Sequence, residues 1–134
     1  KQDGPAPEKR PEYALSKCIE LWSSGKETEA VEQFTALDWS KRPLFSSGDP
    51  LGFSDQQLAA LPESDREQLI KNVASLKALG MHVSDLGQKA EAARNGEQAE
   101  KYAGSVRRSG EALDQPQYCT MLRQVGKAFK KLAK

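Results

Sequence analysis

The stretch from Ser64 to Arg94 constrains the fold more than any other part of the chain. Leu69, Val73, Leu76, Val83 and Ala90 recur at three- and four-residue spacing, and Leu79 and Leu86 widen the row on one side. That period describes one long α-helix with a continuous apolar stripe. Ser64 with Glu67 reads as a capping box at its start, and Asn95-Gly96 as its stop. Two glycines, Gly80 and Gly87, sit one heptad apart on the same stripe. Glycine inside a helix costs about 1 kcal/mol relative to alanine, so a buried pair implies a packing reason. The next predicted helix, 97–113, presents Ala99, Ala103, Val106, Gly110 and Leu113 on its inner side. Small residues facing small residues predict a closely packed antiparallel hairpin between these two helices. The alternative use of the glycines is a slot that admits a flat or elongated ligand.

The flanking segments are also helical, and no stretch alternates convincingly with the period of a strand. A first helix is expected over 12–24, with Ala14, Leu15, Cys18, Leu21 and Trp22 inward, stopped by Gly25. A second, from Lys26 or Glu27 to Trp39, carries Ala30, Val31, Phe34 and Leu37 on its inner side. Together they make an antiparallel hairpin. Residues 40–54, SKRPLFSSGDPLGFS, are turn chemistry that also carries Leu44, Phe45, Leu51 and Phe53, so this long loop is expected to fold down onto the bundle. Ser54 and Gln57 form a second capping box, opening a short helix that Pro62 ends. Asp114, with Pro116 just inside, is expected to cap a last helix from Gln115 to Leu132. The predicted fold class is all-α: an antiparallel bundle of four to five helices with a long Pro/Gly-rich loop. The predicted organisation is a leader over 1–11 and a single domain over 12–134, comprising a hairpin (12–39), a loop (40–54) and a bundle (55–132).

At 134 residues, with 29% charged and 37% apolar, the chain is long enough for one core and suits a folded globular domain. No apolar run approaches the roughly 18 residues of a membrane span. The opening KQDGPAPEKRP is charged, rich in Pro and Gly, and reads as a disordered leader. Such leaders tether exported bacterial domains, so a periplasmic or cell-envelope location is expected, with the cytoplasm as the alternative. Cys18 and Cys119 lie too far apart for a CxxC pair or a zinc knuckle. In an oxidising compartment they would form one long-range disulfide, contributing about 4 to 5 kcal/mol by loop entropy; in a reducing one they are ordinary half-buried thiols.

The chemistry that the sequence offers is sparse. His82 is its only histidine, set in LGMHVSDLG beside Met81. By helical phase the histidine lies roughly 110° and the methionine about 150° from the centre of the apolar stripe. A haem ligand in a bundle must point inward, and covalent haem needs C-x-x-C-H, which is absent. No E-x-x-H, Gly-rich phosphate loop or nucleophile–His–acid pattern occurs. No cofactor, metal ligand or catalytic residue is therefore expected, and the chain reads as a non-enzyme.

Charge is placed unevenly. Residues 26–100 hold eight Lys/Arg against thirteen Asp/Glu, and residues 101–134 hold eight against two. In the last helix, Tyr118, Leu122, Val125, Phe129 and Leu132 form the apolar stripe with Met121 beside it; Arg123, Lys127, Lys130, Lys131 and Lys134 cover the other face. Such a face suits an acidic protein or lipid surface, or serves only to complement the helix dipole and the acidic middle. Nucleic acid is the weaker fit, since no aromatics interleave with the bases. The leading expectation is a non-enzymatic interaction or accessory domain that binds a protein partner by its first hairpin or its basic last helix. The alternative is a bundle that holds haem or a small apolar ligand between its helices.

The hairpin over 14–43 resembles one tetratricopeptide unit. Gly25 matches that family's turn glycine, with Ala30, Phe34 and Leu37 near its small, aromatic and small positions. Pro43 lies one residue past its terminal proline, Leu37 is larger than the pattern asks, and Cys18 stands where a small residue is common. The resemblance implies peptide binding, but it covers about 30 residues with no second copy, and one repeat makes no solenoid. The remainder is similar in outline to cytochrome-type four-helix bundles, without their haem residues.

Overall fold

In a computed structural model of the protein, the described residues are 14–40, 44, 45 and 49–133. They form α1 (Ala14–Ser23), α2 (Glu27–Ala36), a 3-10 turn (Pro50–Gly52), the short α3 (Asp55–Ala59), α4 (Glu63–Ala92), α5 (Gly96–Leu113) and α6 (Thr120–Leu132), with no strand among them. The all-helical bundle with a long loop is as the sequence predicts. The expected leader 1–11, the turn from Glu12, Pro43 and Lys134 lie outside the described residues.

The helices α4, α5 and α6 pack on one another, and the α1–α2 hairpin rests on α4, with α2 also reaching α5. One buried cluster joins the two parts. It includes Leu15, Cys18 and Phe34 from the hairpin, Leu76, Leu79 and Val83 from α4, Leu113 from α5, and Leu122 and Phe129 from α6. Burial of each such Leu or Phe is worth about 1.5–3 kcal/mol. The loop folds onto this core: Leu44, Phe45 and Leu51 are buried, and the Phe45 ring meets Tyr118 edge-on at 5.7 Å. Asp49 pins it to α1, accepting from the Ser16 hydroxyl at 2.8 Å and from the Leu51 N–H at 3.1 Å.

Two turns close helices through a left-handed residue. Gly25 has φ +83°, and the Lys26 N–H donates back to the Leu21 carbonyl at 3.0 Å. Between α4 and α5 that role falls to Arg94, φ +62°, with the Asn95 N–H donating to the Ala90 carbonyl at 2.9 Å. Asn95-Gly96 was expected to end α4. Instead the Asn95 side chain accepts from the Gln98 N–H at 3.2 Å and starts α5, of which Gly96 is the first residue. One short turn serves both helices, so the left-handed position falls a residue early.

Other boundaries depart for equally local reasons. Helix α4 starts at Glu63, not after Ser64, because the Pro62 carbonyl already accepts from Asp65 and Arg66 at 3.1 Å. Helix α2 stops at Ala36; Leu37 is extended, and Trp39 returns to lie edge-on against Phe34 at 5.2 Å. The largest departure is α6, which starts at Thr120 rather than Gln115. Its cap is not Asp114 but Asp55, in the first turn of α3, which accepts from the Thr120 N–H at 2.9 Å and hydroxyl at 2.6 Å. Tyr118 is thus buried ahead of the helix, and Leu132, expected on its apolar stripe, is 38% exposed near its end.

The glycines make close approaches, though not all to the expected helix. Gly87 faces α5 as predicted, with space for a Cβ at 3.3 Å from Tyr102 Cβ and 3.5 Å from the Ala103 nitrogen. Gly80 instead faces α6, where the Phe129 ring occupies the place a Cβ would take. Gly110 faces Gly126 of α6: a Cβ on either would lie 2.7–2.8 Å from the other's carbonyl oxygen. The small-residue pattern alone pairs α4 with α5, whereas α6 lies against both.

Candidate functional site

Helix phase alone turns His82 away from the core centre, and the tertiary structure gives it a partner. Its ring lies 5.4 Å from the Trp22 ring at 46°, half-buried where α1 meets α4. Met81 is 49% exposed. The two residues named as possible haem ligands therefore do not converge on the interior. Among the described residues, no group of three His, Cys, Asp or Glu could hold a metal ion.

Both thiols are enclosed by the core. Cys18 and Cys119 are both buried and both free, so the disulfide allowed for an oxidising compartment is not formed in this structure. Burial pushes the Cys18 thiol up to about 12, against the lowering effect of a backbone hydrogen bond. A thiol held that high supplies no thiolate at neutral pH, and a thiolate is the nucleophile.

The basic face of α6 is the residue set that the structure does bring together. Lys127 Nζ lies 3.1 Å from Asp114 Oδ1, Lys130 Nζ 2.8 Å from Oδ2, and Arg123 Nε 3.8 Å from Oδ1. Hydrogen bonds from Lys130 and then Lys127 hold the Asp114 carboxyl below the ordinary aspartate value, against a partial desolvation. The Asp114 side chain is only 11% exposed, while those of Lys127 and Lys130 are about half exposed, at 55% and 42%. The carboxylate is thus a sheltered anchor under half-exposed cations. Lys131 is exposed and has no ion pair among the described residues. The fifth expected member, Lys134, lies outside the described residues.

Why these side chains meet follows from the Gly110–Gly126 contact. It draws α5 and α6 so close that the Asp114 nitrogen would lie 2.7 Å from a Cβ on Gly126. The carboxylate at the C-terminal end of α5 therefore falls beside the face of α6 that carries Arg123, Lys127 and Lys130. Sequence reasoning treated Asp114 as a helix cap and missed it as a counter-charge. The one available signal was Gly126, a small residue on the inner face of α6.

Two open clefts flank the hairpin. One, of about 520 Å³, lies between α1, the 3-10 turn and α4, with Ser16, Asp49 and Asn72 among its lining. The other, of about 380 Å³, lies over His82 between α2, α4 and α5. Among the described residues, no helix is long and apolar enough to cross a membrane. No family model, curated protein or solved structure matches the chain.

Proposed function

We propose that the chain is a non-enzymatic helical interaction domain that binds an acidic segment of a partner protein on the cationic face of α6. One observation carries this reading: Arg123, Lys127 and Lys130 gather around the carboxylate of Asp114, with Asp55 also acting on Arg123, so cations outnumber carboxylates in the cluster, and Lys131 extends it along the helix. Asp114 steadies the long side chains before a partner arrives, which lowers the ordering entropy lost on binding. Surface cations of this kind set encounter rate and register more than affinity, so binding is expected to be modest and salt-sensitive. The buried Cys18 thiol and the His82 ring tilted against Trp22 favour a non-catalytic role.

The test is a heteronuclear NMR titration of the whole chain with a short Asp/Glu-rich peptide at low and high salt. Shifts should concentrate at residues 123–131, weaken as salt rises, and vanish in a Lys127→Glu, Lys131→Glu double variant, while His82→Ala leaves them unchanged. Equal shifts at other exposed lysines such as Lys71 and Lys77, or indifference to the double variant, would overturn the proposal.

A further inference from the structure

The cleft over His82 is independent of the α6 face and has a different chemistry. We propose that it is a binding site for a small zwitterion, specifically a free α-amino acid with an aliphatic side chain. Its volume of about 380 Å³ falls within the range of small-molecule sites, roughly 300–1,000 Å³. Three helices converge on it and each supplies a different character. Helix α2 brings Glu27 and Glu32; α5 brings Lys101; Val31 of α2 and Leu86 of α4 are apolar.

The charges set what a ligand must offer. Glu32 and Lys101 line the same cleft from different helices, yet they form no ion pair with each other or with any other described residue. Lys101 Nζ instead lies over the neighbouring Tyr102 ring, 5.9 Å from its centroid. A molecule carrying an ammonium and a carboxylate can bridge both charges at once, by charge-assisted hydrogen bonds at each end. A molecule with one charge satisfies only one wall. The apolar side chains of Val31 and Leu86 then face the aliphatic part, and the Thr28 and Thr35 hydroxyls offer neutral hydrogen-bonding groups alongside. The His82 imidazole is part of the cleft lining, and the Trp22 indole tilted against it is a built-in reporter.

The experiment is an NMR titration of the whole chain with L-leucine, following the Trp22 indole, the His82 ring and the amides of 101 and 102. Saturable shifts confined to the cleft are expected. N-acetyl-leucine lacks the ammonium and leucinamide the carboxylate; each should bind at least about fivefold more weakly. Glu32→Gln and Lys101→Met should weaken leucine to a similar degree, whereas Glu29→Gln, outside the cleft, should not; an unchanged circular dichroism spectrum checks each fold. The absence of saturable shifts up to the solubility limit of leucine would overturn the proposal. So would binding that survives the loss of either charge, on the ligand or on the protein. Neither result bears on the acidic-peptide titration, which reads α6.

Discussion

The contact of α6 with its neighbours and the contact of the hairpin with α4 bury apolar stripes by opposite means. Along α6 the side chains are deleted: Gly110 faces Gly126, and Gly80 yields its place to the Phe129 ring. Backbone approaches backbone, and Phe129, Leu122 and Leu113 are fully buried beside it. Against α4, the hairpin contributes a ring on a ring, Trp22 on His82, and both rings stay half-exposed. A glycine contact closes because nothing stands between the helices. The Trp22–His82 contact keeps its side chains, and the His82 ring also lines the cleft between α2, α4 and α5. The first contact brings two backbones together, and the second leaves two rings partly open to solvent.

The comparison is broken most severely at Phe129. Phe129→Ala should cost about 3–5 kcal/mol in denaturant unfolding, because a large, fully buried ring is lost. Part of that should be coupled to Gly80: Gly80→Ala should be damaging in the native background and nearly harmless once Phe129 is alanine. A strictly additive cycle would refute the contact between them. Next comes Gly126→Ala. Helix propensity favours the alanine by about 1 kcal/mol, yet the neighbours of the new methyl are backbone atoms of Asp114 and Gly110 that cannot swing aside. A net loss of about 1–3 kcal/mol is expected from overpacking, and a gain in melting temperature would contradict the close approach.

On the looser side, His82→Ala should cost only about 0.5–1.5 kcal/mol, the scale of one ring pair. Its effect should be local. Amide exchange should speed up in α1 and α2 and not in α5 or α6, whereas Phe129→Ala accelerates both regions together. Arg94→Gly should act in the opposite direction, raising stability by about 1 kcal/mol, since glycine takes the left-handed turn without the clash of a Cβ.

The smallest effect is electrostatic. Asp55, through the Thr120 hydroxyl and then its N–H, and Asp114, through Lys130 and Lys127, are both held below the ordinary aspartate value. A carboxyl lowered in the folded state contributes stability above its unfolded pKa of about 3.9, and that contribution disappears as pH falls through the folded value. Acid should therefore weaken the protein over that window, and Asp55→Asn should flatten the part of the decline due to α6 capping. An unchanged acid profile in that variant would remove Asp55 as the cap.

Much of this architecture was legible in the residues. The stripe of Leu69, Val73, Leu76 and Val83 is buried as its period demands, Met81 faces solvent, and the capping box of Ser54 and Gln57 forms with both hydrogen bonds. The loop's Leu44, Phe45 and Leu51 reach the core. Illegible were the features made by residues distant in the chain. Asp55 caps Thr120 across 65 positions, and Asp114 gathers cations from the following helix. Glycines 80 and 110 could be recognised as contact points, but nothing in their spacing names α6 as the helix they meet.

Local rules therefore settled which segments are helical and which of their faces are apolar, because period, propensity and turn chemistry act over a few neighbouring residues. The tertiary structure decided which faces meet, which carboxylate serves which cation, and where a cleft stays open. Those outcomes depend on how three helices share one core, and a stripe of the right width can be covered by more than one neighbour.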